Sequence, residues 1–243
     1  MKIVAIIQAR MTSTRLPGKV LKKVLGKTLL EYQLERVRRS QCIDEIVVAT
    51  TVNKTDDPIV ELCSQLGYSI YRGSEEDVLS RYYEASIKAE ADIVVRLTSD
   101  CPLVDPEIID QVIELFKENQ PKFAYVSNTL ERTYPRGMDT EVFSIDALHR
   151  TYEEANRNME REHVTAYMYS NPEKFSLLNK KSIVDLSQFR WTVDTEEDFE
   201  LIRRIIEKIY PNKKEFTLQN IVNLVQEHQE WSLLNAHIEQ KKL

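Results

Sequence analysis

Short runs of β-branched and other apolar residues alternate with segments of helical periodicity along the first half of the chain. The runs predict strands at residues 3–7, 46–49, 69–71, 93–97 and 123–126. Capping signals between the runs predict helices that begin at Thr28 and that cover 57–67, 74–88 and 105–116. A repeated order of strand, helix and strand requires parallel pairing through right-handed crossovers. The sequence therefore predicts an α/β fold with a mostly parallel sheet.

The second half of the chain is less regular. We expect a strand that ends at Phe143, helices over 145–156 and 162–170, and a final strand over 189–193. Two further helices, at 196–210 and 218–228, would cover one face of the sheet. No Pro/Gly/Ser-rich linker or repeat interrupts the 243 residues. We therefore expect a single domain, residues 1–243, with an inserted subregion at about 130–175.

The loop after the first strand, QARMTSTRLPGK, carries Arg10, Arg15 and Lys19 and no acid. The first thirty residues carry a charge of +7 and the whole chain −6, so the remainder carries −13. Parallel pairing brings this loop to the carboxyl edge of the sheet, where open α/β folds bind ligands. We expect exposed cations that bind a triphosphate and that matter more for turnover than for folding. The alternative is a solvated loop.

Composition and charge argue against several other classes of protein. A sequence pI near 5.4 and a first aromatic residue only at Tyr32 leave neither a broad basic face nor a stacking platform for nucleic acid. The three cysteines are odd in number and lack metal-ligand spacing, so neither a disulfide framework nor a zinc site is indicated. The apolar run at residues 3–7 is shorter than the core that we expect of a signal peptide, and no run of about eighteen apolar residues follows. We therefore expect a cytoplasmic protein that does not enter a membrane.

Two acids follow apolar runs that resemble strands. Asp100 lies in RLTSDCPLVDP and Asp194 in RWTVDTEEDF, and parallel pairing would bring both to the same edge of the sheet. Mg²⁺ typically takes one or two protein carboxylates together with phosphate oxygens, so the pair predicts a magnesium site. Asp100 could instead form a turn with Pro102, and Asp194 could be the N-cap of the next helix. The sequence leaves these alternatives open.

Four segments, in this order, resemble one branch of a known family: QARMTSTRLPGKVL, RLTSDCPLVDP, RGMDTEVF and RWTVDTEEDF. The branch is the spore-coat polysaccharide cytidylyltransferase-like part of the CMP-sugar synthetase family. The resemblance spans roughly residues 2–205. It implies a Rossmann-like three-layer sandwich, with the mostly parallel sheet of nucleotide-diphospho-sugar transferases, which is GT-A-like.

The same resemblance implies roles for individual residues. Catalysis would rest on Arg15, Lys19 and Asp100, and Mg²⁺ would be held by Asp100 and Asp194. The implied nucleotide-binding set is Gln8, Ala9, Arg10, Arg15, Lys19, Arg72, Ser74, Asp77 and Ser99. The implied acceptor-binding set is Arg136, Asp139 and Glu141, within a 130–175 subregion that would also mediate homodimer formation. Ser74 and Asp77 can also be explained as a helix-capping pair.

The implied reaction is attack by an acceptor oxygen on the α-phosphorus of CTP, which releases pyrophosphate and leaves a CMP-linked product. The acceptor would be an acidic sugar or a similar anion used for surface polysaccharide or glycoconjugate synthesis. Positioning and charge stabilisation would supply catalysis without a protein nucleophile. A metal-dependent glycosyltransferase that uses a nucleotide sugar, or a non-catalytic nucleotide-binding module, remains the alternative. The dense cationic loop disfavours the first and the two acids disfavour the second.

Overall fold

A seven-stranded sheet is the centre of the protein in a computed structural model, which describes residues 1–239. The strand order in this sheet is β5-β4-β1-β6-β8-β7-β9, while β2 and β3 form a separate antiparallel pair. The strands are β1 Ile3–Gln8, β2 Lys23–Val24, β3 Lys27–Thr28, β4 Glu45–Thr51, β5 Ser69–Gly73, β6 Ile93–Thr98, β7 Tyr125–Ser127, β8 Glu141–Ser144 and β9 Leu177–Asn179.

Parallel pairing dominates the sheet, as the alternation of strands and helices predicts. β1 lies between β4 and β6 and is parallel to both, β4 is parallel to β5, and β7 is parallel to β9. β8 is antiparallel to its neighbours β6 and β7. The carboxyl ends of β1, β4, β5 and β6 therefore open onto one edge, which receives the loops that follow them.

Nine α-helices of the described residues pack around this sheet, and their ends follow local capping chemistry. They are α1 Leu29–Val37, α2 Asp57–Leu66, α3 Val78–Lys88, α4 Pro106–Glu118, α5 Ile145–Glu154, α6 Asn158–Glu162, α7 Ala166–Ser170, α8 Glu196–Ile209 and α9 Leu218–Glu227. Thr28 and Glu31 form the predicted capping box of α1. Asp105 caps α4 by accepting a hydrogen bond from the Glu107 amide at 3.0 Å.

The two faces of β1 lie in different hydrophobic clusters because successive side chains of a strand point to opposite faces. Ala5 and Ile7 pack with α1, α2 and α4, whereas Val4 and Ile6 pack with α3, α5 and α7. A third cluster joins α8 and α9 around the buried Trp191. The sheet is thus covered on both faces, and α8 and α9 pack with Leu29 and Tyr32 of α1.

Two predicted elements are wrong. The helix expected over 162–170 is broken, because α6 ends at Glu162 and α7 begins only at Ala166. The turn between them holds Thr165, whose hydroxyl donates to the Glu141 carboxylate. The strand expected over 189–193 is also absent: its amides pair singly with two separate loops, as in the Trp191 amide donating to the Arg136 carbonyl at 2.7 Å. An apolar, β-branched run cannot form a strand without a continuous partner.

Gly137 makes the crossing of these loops possible. Its φ of 103° lies in the region that favours glycine, and a Cβ there would lie 2.6 Å from the Trp191 carbonyl oxygen. A single parallel bridge between Arg136 and Arg190 marks the contact. The segment that carries Asp194 is therefore fixed against the loop that precedes β8.

None of the helices within residues 1–239 combines the length and the apolar character that a membrane-spanning helix needs.

Candidate functional site

Lys19 lies at the edge of the sheet where the carboxyl ends of β1 and β6 meet. Its Nζ donates to Asp100 Oδ2 at 3.0 Å, to Asp194 Oδ1 at 2.8 Å and to the Val193 carbonyl at 2.7 Å. These contacts use all three donors of the ammonium group. Only 8% of Lys19 is exposed, so the expectation of an exposed loop cation is wrong for this residue.

The structure brings Asp100 and Asp194 together on this one ammonium group. Asp100 follows β6, and the Thr98 hydroxyl donates to its Oδ1 at 2.6 Å. Asp194 follows an irregular segment, and the Val193 amide beside it donates to the Asp100 carbonyl at 2.8 Å. The two acids therefore converge through a contact between loops, although the sequence suggested neighbouring parallel strands.

The alternative interpretation of Asp194 as a helix cap is wrong. The N-cap of α8 is Thr195, whose hydroxyl accepts from the Asp198 amide in a capping box. Both carboxylate oxygens of Asp194 instead face cations, since Oδ2 contacts Arg15 Nη2 at 2.8 Å and Arg190 Nη2 at 2.9 Å. Asp194 therefore does not cap a helix, and ion pairs with cationic side chains hold its carboxylate.

Carboxylates from distant parts of the chain face the cations of the first loop. Arg10 Nη1 lies 3.5 Å from Glu75 Oε1, and the same carboxylate accepts from the Thr12 hydroxyl and the Asn53 amide. Together with the contacts of Arg15 and Lys19, each of the three predicted loop cations faces an acid. These acids therefore offset the positive charge of the first loop within the protein.

Charges within the site shift the pKa values of its groups against the effect of burial. Burial by itself would raise the pKa of the Asp100 carboxyl, but the Lys19 ammonium and the Thr98 hydroxyl lower it to about 2. Burial would lower the pKa of Lys19, but Asp100 and Asp194 raise it above its ordinary value. Asp100 and Lys19 are therefore both charged at neutral pH.

The backbone of β1 and β6 contributes three further residues of the predicted nucleotide set. The Ser99 amide donates to the Gln8 carbonyl at 3.1 Å, and the Ala9 amide donates to the Ala49 carbonyl at 3.1 Å. Gln8, Ala9 and Ser99 thus lie at the same edge as Lys19 and Asp100.

Arg72 lies near the end of β5, and Ser74 and Asp77 lie in the loop between β5 and α3; all three side chains already make contacts within the protein. Arg72 donates to the Thr51 and Asn53 carbonyls at 2.9 Å each. Ser74 Oγ accepts from the Asp77 amide at 3.0 Å, and Asp77 Oδ1 caps α3 through the Ser80 amide at 2.9 Å. The capping interpretation of Ser74 and Asp77 is confirmed. Their predicted contact with nucleotide stays a prediction.

Two of the predicted acceptor residues lie at the start of β8: Asp139 is in the loop before this strand, and Glu141 is its first residue. Arg132 holds the Asp139 carboxylate through two hydrogen bonds, of 2.6 and 2.9 Å. Glu141 pairs with Arg96 across the sheet and also accepts from the Tyr125 hydroxyl at 3.1 Å.

Arg136 lines a cavity of about 200 Å³ together with Arg190, Trp191 and Asn235. Burial, and then the neighbouring Arg132, lowers the pKa of the Arg136 guanidinium. A guanidinium in such a setting gains from an anionic partner.

Several residues of the site were missed from the sequence. Arg190 and Asp198 stand four residues either side of Asp194 in the motif that drew attention to it, and that spacing was the available signal. Glu75 lies between Ser74 and Asp77, which were both predicted to bind nucleotide. For Arg96 the signal was an arginine within an otherwise apolar strand. Arg132 and Asn235 carried none, because their partners are fixed only by the tertiary fold.

The donor set at Lys19 fits a hard divalent cation. Two carboxylates are within hydrogen-bonding distance of one ammonium group, and Mg²⁺ prefers oxygen ligands of this kind. Within residues 1–239 no group of three or more His, Cys, Asp or Glu side chains gathers as a complete metal site. Asp100 and Asp194 would therefore supply part of the coordination, and phosphate or water oxygens the remainder.

Comparison with known proteins assigns the chain to a family. The family model described as Cytidylyltransferase matches residues 4–242. The chain belongs to the cytidylyltransferase family. This cytidylyltransferase is a nucleotidyltransferase by membership, and the resemblance to the family is confirmed.

Relatives of this cytidylyltransferase share most of its length. An uncharacterized protein of Methanocaldococcus jannaschii is 39% identical over 248 residues, covering 99% of this chain and 97% of the relative. The spore coat polysaccharide biosynthesis protein SpsF of Bacillus subtilis is 35% identical over 213 residues, or 85% of this chain and 87% of SpsF.

Solved structures give the same result. A cytidylyltransferase of Leptospira borgpetersenii superposes with a TM-score of 0.92 at 35% identity, with all of both chains covered. A CMP:2-keto-3-deoxy-manno-octonic acid synthetase in complex with CTP superposes with a TM-score of 0.65 at 19% identity, covering 86% of this chain and 99% of that one. The second likeness concerns the fold, and it confirms the predicted α/β class.

Proposed function

We propose that this cytidylyltransferase transfers CMP from CTP to an anionic sugar or a similar acceptor, with release of pyrophosphate. The single observation that carries the proposal is the Lys19 cluster, where the carboxylates of Asp100 and Asp194 meet two loop cations, Lys19 and Arg15, at the edge of the sheet. The name of SpsF and the CTP complex of the sugar-acid synthetase support the same substrates. The product would serve surface polysaccharide or glycoconjugate synthesis.

The first loop would bind the triphosphate. Arg10 and Arg15 offer forked donors and Lys19 a compact charge, so that together they can follow the negative charge that moves onto the leaving pyrophosphate. Gln8 and Ala9 would border the nucleotide at the end of β1.

Asp100 and Asp194 would hold Mg²⁺, which supplies charge neutralisation at the phosphate oxygens when bound. The low pKa of Asp100 supports this assignment, because a carboxyl that stays ionised near neutral pH is a good ligand and a poor proton acceptor. Ser99 would border the phosphates beside Asp100. In this proposal the two acids bind the metal, and the loop cations bind the phosphates.

The remaining predicted residues would orient the two substrates. Arg72, Ser74 and Asp77 would face cytosine and ribose, on a loop that their own hydrogen bonds keep rigid. The acceptor would lie near Arg136, Asp139 and Glu141, where a guanidinium can pair with an acid group and carboxylates can accept from sugar hydroxyls. Positioning by these groups would bring the acceptor oxygen in line with the α-phosphorus.

A nucleotide panel tests the proposal. CTP with Mg²⁺ should stabilise the protein more than UTP, ATP or GTP does, and at a hundredfold excess over its dissociation constant it should raise the free energy of unfolding by about 2.7 kcal/mol. Thermal shift measures the stabilisation, and pyrophosphate release with a panel of acidic sugars and phosphorylated small molecules identifies the acceptor. Stronger stabilisation by UTP or ATP would contradict the assignment of CTP.

We further infer a homodimer that acts in the cytoplasm, with residues 1–243 as one domain and 130–175 as its acceptor-binding and dimerisation subregion. β8 completes the same sheet as β1, which supports one domain, and the free cysteines, Cys42, Cys63 and Cys101, suit a reducing compartment. Light scattering should give twice the 28.4 kDa of the chain, and the mass of a single chain would refute the dimer.

A further inference from the structure

Asp194 has no regular secondary structure to hold it. The residues before it form single backbone contacts with two loops, and α8 begins only after Thr195. A metal-binding carboxylate must nevertheless be kept in a narrow range of orientations. Its position must therefore come from the side chains around it.

Two buried side chains contact the Asp194 carboxylate: Lys19 at Oδ1, and Arg190 at Oδ2. The Nη2 of Arg190 donates to Asp194 Oδ2 at 2.9 Å, and only 8% of Arg190 is exposed. The same guanidinium faces Asp198, with Nε at 2.9 Å from Oδ1 and Nη2 at 2.9 Å from Oδ2. The two hydrogen bonds to Asp198 fix the plane of the guanidinium, and this plane sets where it meets Asp194.

Asp198 is fully buried, and both of its carboxylate oxygens accept hydrogen bonds. Besides Arg190, its Oδ2 accepts from the Asp194 amide at 3.0 Å and from the Thr195 amide at 3.2 Å. Its Oδ1 also accepts from Asn235 Nδ2 at 2.8 Å. Asp198 thus links the backbone of Asp194, the guanidinium that holds its side chain and the C-terminal part of the chain.

Asn235 closes this network from the C-terminal segment. Its Nδ2 donates both to Asp198 Oδ1 and to the Arg190 carbonyl, the latter at 2.9 Å, and only 4% of the residue is exposed. Trp231 anchors the segment independently, because it is buried in the third hydrophobic cluster and stacks on His228 with ring centroids 4.3 Å apart. The amide of Asn235 can therefore be changed without removing the apolar anchor of the segment.

We propose that Asn235 is a positioning residue for the Asp194 carboxylate, acting through Asp198 and Arg190, and that the C-terminal segment thereby sets the affinity of the enzyme for its divalent metal. The inference rests on the proposed role of Asp194 as a metal ligand. Changing a residue that orients a metal ligand weakens metal binding by about 10- to 100-fold. The nucleotide contacts of the first loop are made by other residues, so the affinity for CTP itself should change little.

Binding of Mn²⁺ in the presence of CTP and the absence of acceptor tests the proposal, with free Mn²⁺ measured by electron paramagnetic resonance. Asn235→Leu removes the donor and should weaken Mn²⁺ binding about tenfold. Asn223→Leu is the matched control, since this asparagine is exposed on α9, and it should bind Mn²⁺ as the unaltered enzyme does. Saturating Mg²⁺ should restore the turnover of Asn235→Leu, because a positioning defect raises the metal requirement more than it lowers kcat.

Asn235→Asp provides a second variant of nearly the same shape. It places a second carboxylate beside Asp198, and the two carboxylates would compete for the Arg190 guanidinium. We therefore expect it to weaken Mn²⁺ binding at least as much as Asn235→Leu does. Thermal unfolding of both Asn235 variants shows which of them is folded at the assay temperature. Unchanged Mn²⁺ affinity in a folded variant would overturn the inference. Asp194→Asn separates the two proposals, because unchanged Mn²⁺ binding there refutes the metal role itself, whereas an effect there and none at Asn235 refutes only the relay.

Discussion

Asp100→Asn should lower metal-dependent transfer of CMP by roughly a thousandfold, the loss expected when a preorganised electrostatic contact at the reacting phosphate is removed. The substitution keeps the volume of the side chain and takes away the charge that would hold Mg²⁺. The fold should survive, because Lys19 keeps its contacts with Asp194 and the Val193 carbonyl. Pyrophosphate release from CTP at increasing Mg²⁺ measures the effect.

Asp105→Asn is the control for this experiment, since it changes another acid of the same loop. Asp105 is buried and caps α4, and asparagine is also a good N-cap, so this variant should keep near-normal turnover. Equal activity in the two variants would mean that Asp100 has no role in the chemistry.

Lys19→Met should reduce both turnover and stability, the latter by about 3–5 kcal/mol, the cost of leaving buried charges without their partner. The ammonium group lies between Asp100 and Asp194, which would then repel each other. Turnover should fall roughly a hundredfold or more. Added Mg²⁺ should recover part of the lost stability, because the ion can take the place of the missing charge. Chemical denaturation with and without MgCl₂, at constant ionic strength, measures this.

Arg15→Met is the comparison, because it removes a cation from the same loop at a more exposed position. The Arg15 side chain is 38% exposed, and Asp194 keeps its contacts with Lys19 and Arg190. We expect a loss of stability below about 1 kcal/mol together with a large loss of turnover. A similar loss of stability in both variants would contradict the central position of Lys19.

The first half of the fold could be predicted because local chemistry decides it. Apolar runs match the period of strands, and caps such as Thr28 and Asp105 act within their own helix turn. The irregular second half could not, because the outcome depends on distant partners. Residues 189–193 read as a strand but meet only isolated backbone groups, and the break at 163–165 accompanies a contact with Glu141. The hairpin of β2 and β3 and the short strand β9 carried too few residues for a periodic signal.

The candidate site was predictable to the extent that its residues follow strands. Asp100 and Asp194 were selected from the ends of apolar runs and Lys19 from the loop after the first strand, and the structure gathers the three. Their mutual neutralisation was not predictable, since it joins the beginning of the chain to residues far along it. The sequence placed Lys19 and Arg15 in one class of loop cation, whereas burial separates them.

The close crossing at Gly137 has a consequence for how the two substrates affect each other. Because a Cβ at Gly137 would already lie 2.6 Å from the Trp191 carbonyl, there is no slack between the loop that carries Arg136 and the segment that leads to Asp194. An acceptor that moves the Arg136 backbone would also move the Trp191 peptide, whose amide donates to the Arg136 carbonyl at 2.7 Å, and with it the segment that carries Asp194. Such coupling is reciprocal by thermodynamic necessity. The factor by which acceptor changes the affinity for metal is then the factor by which metal changes the affinity for acceptor.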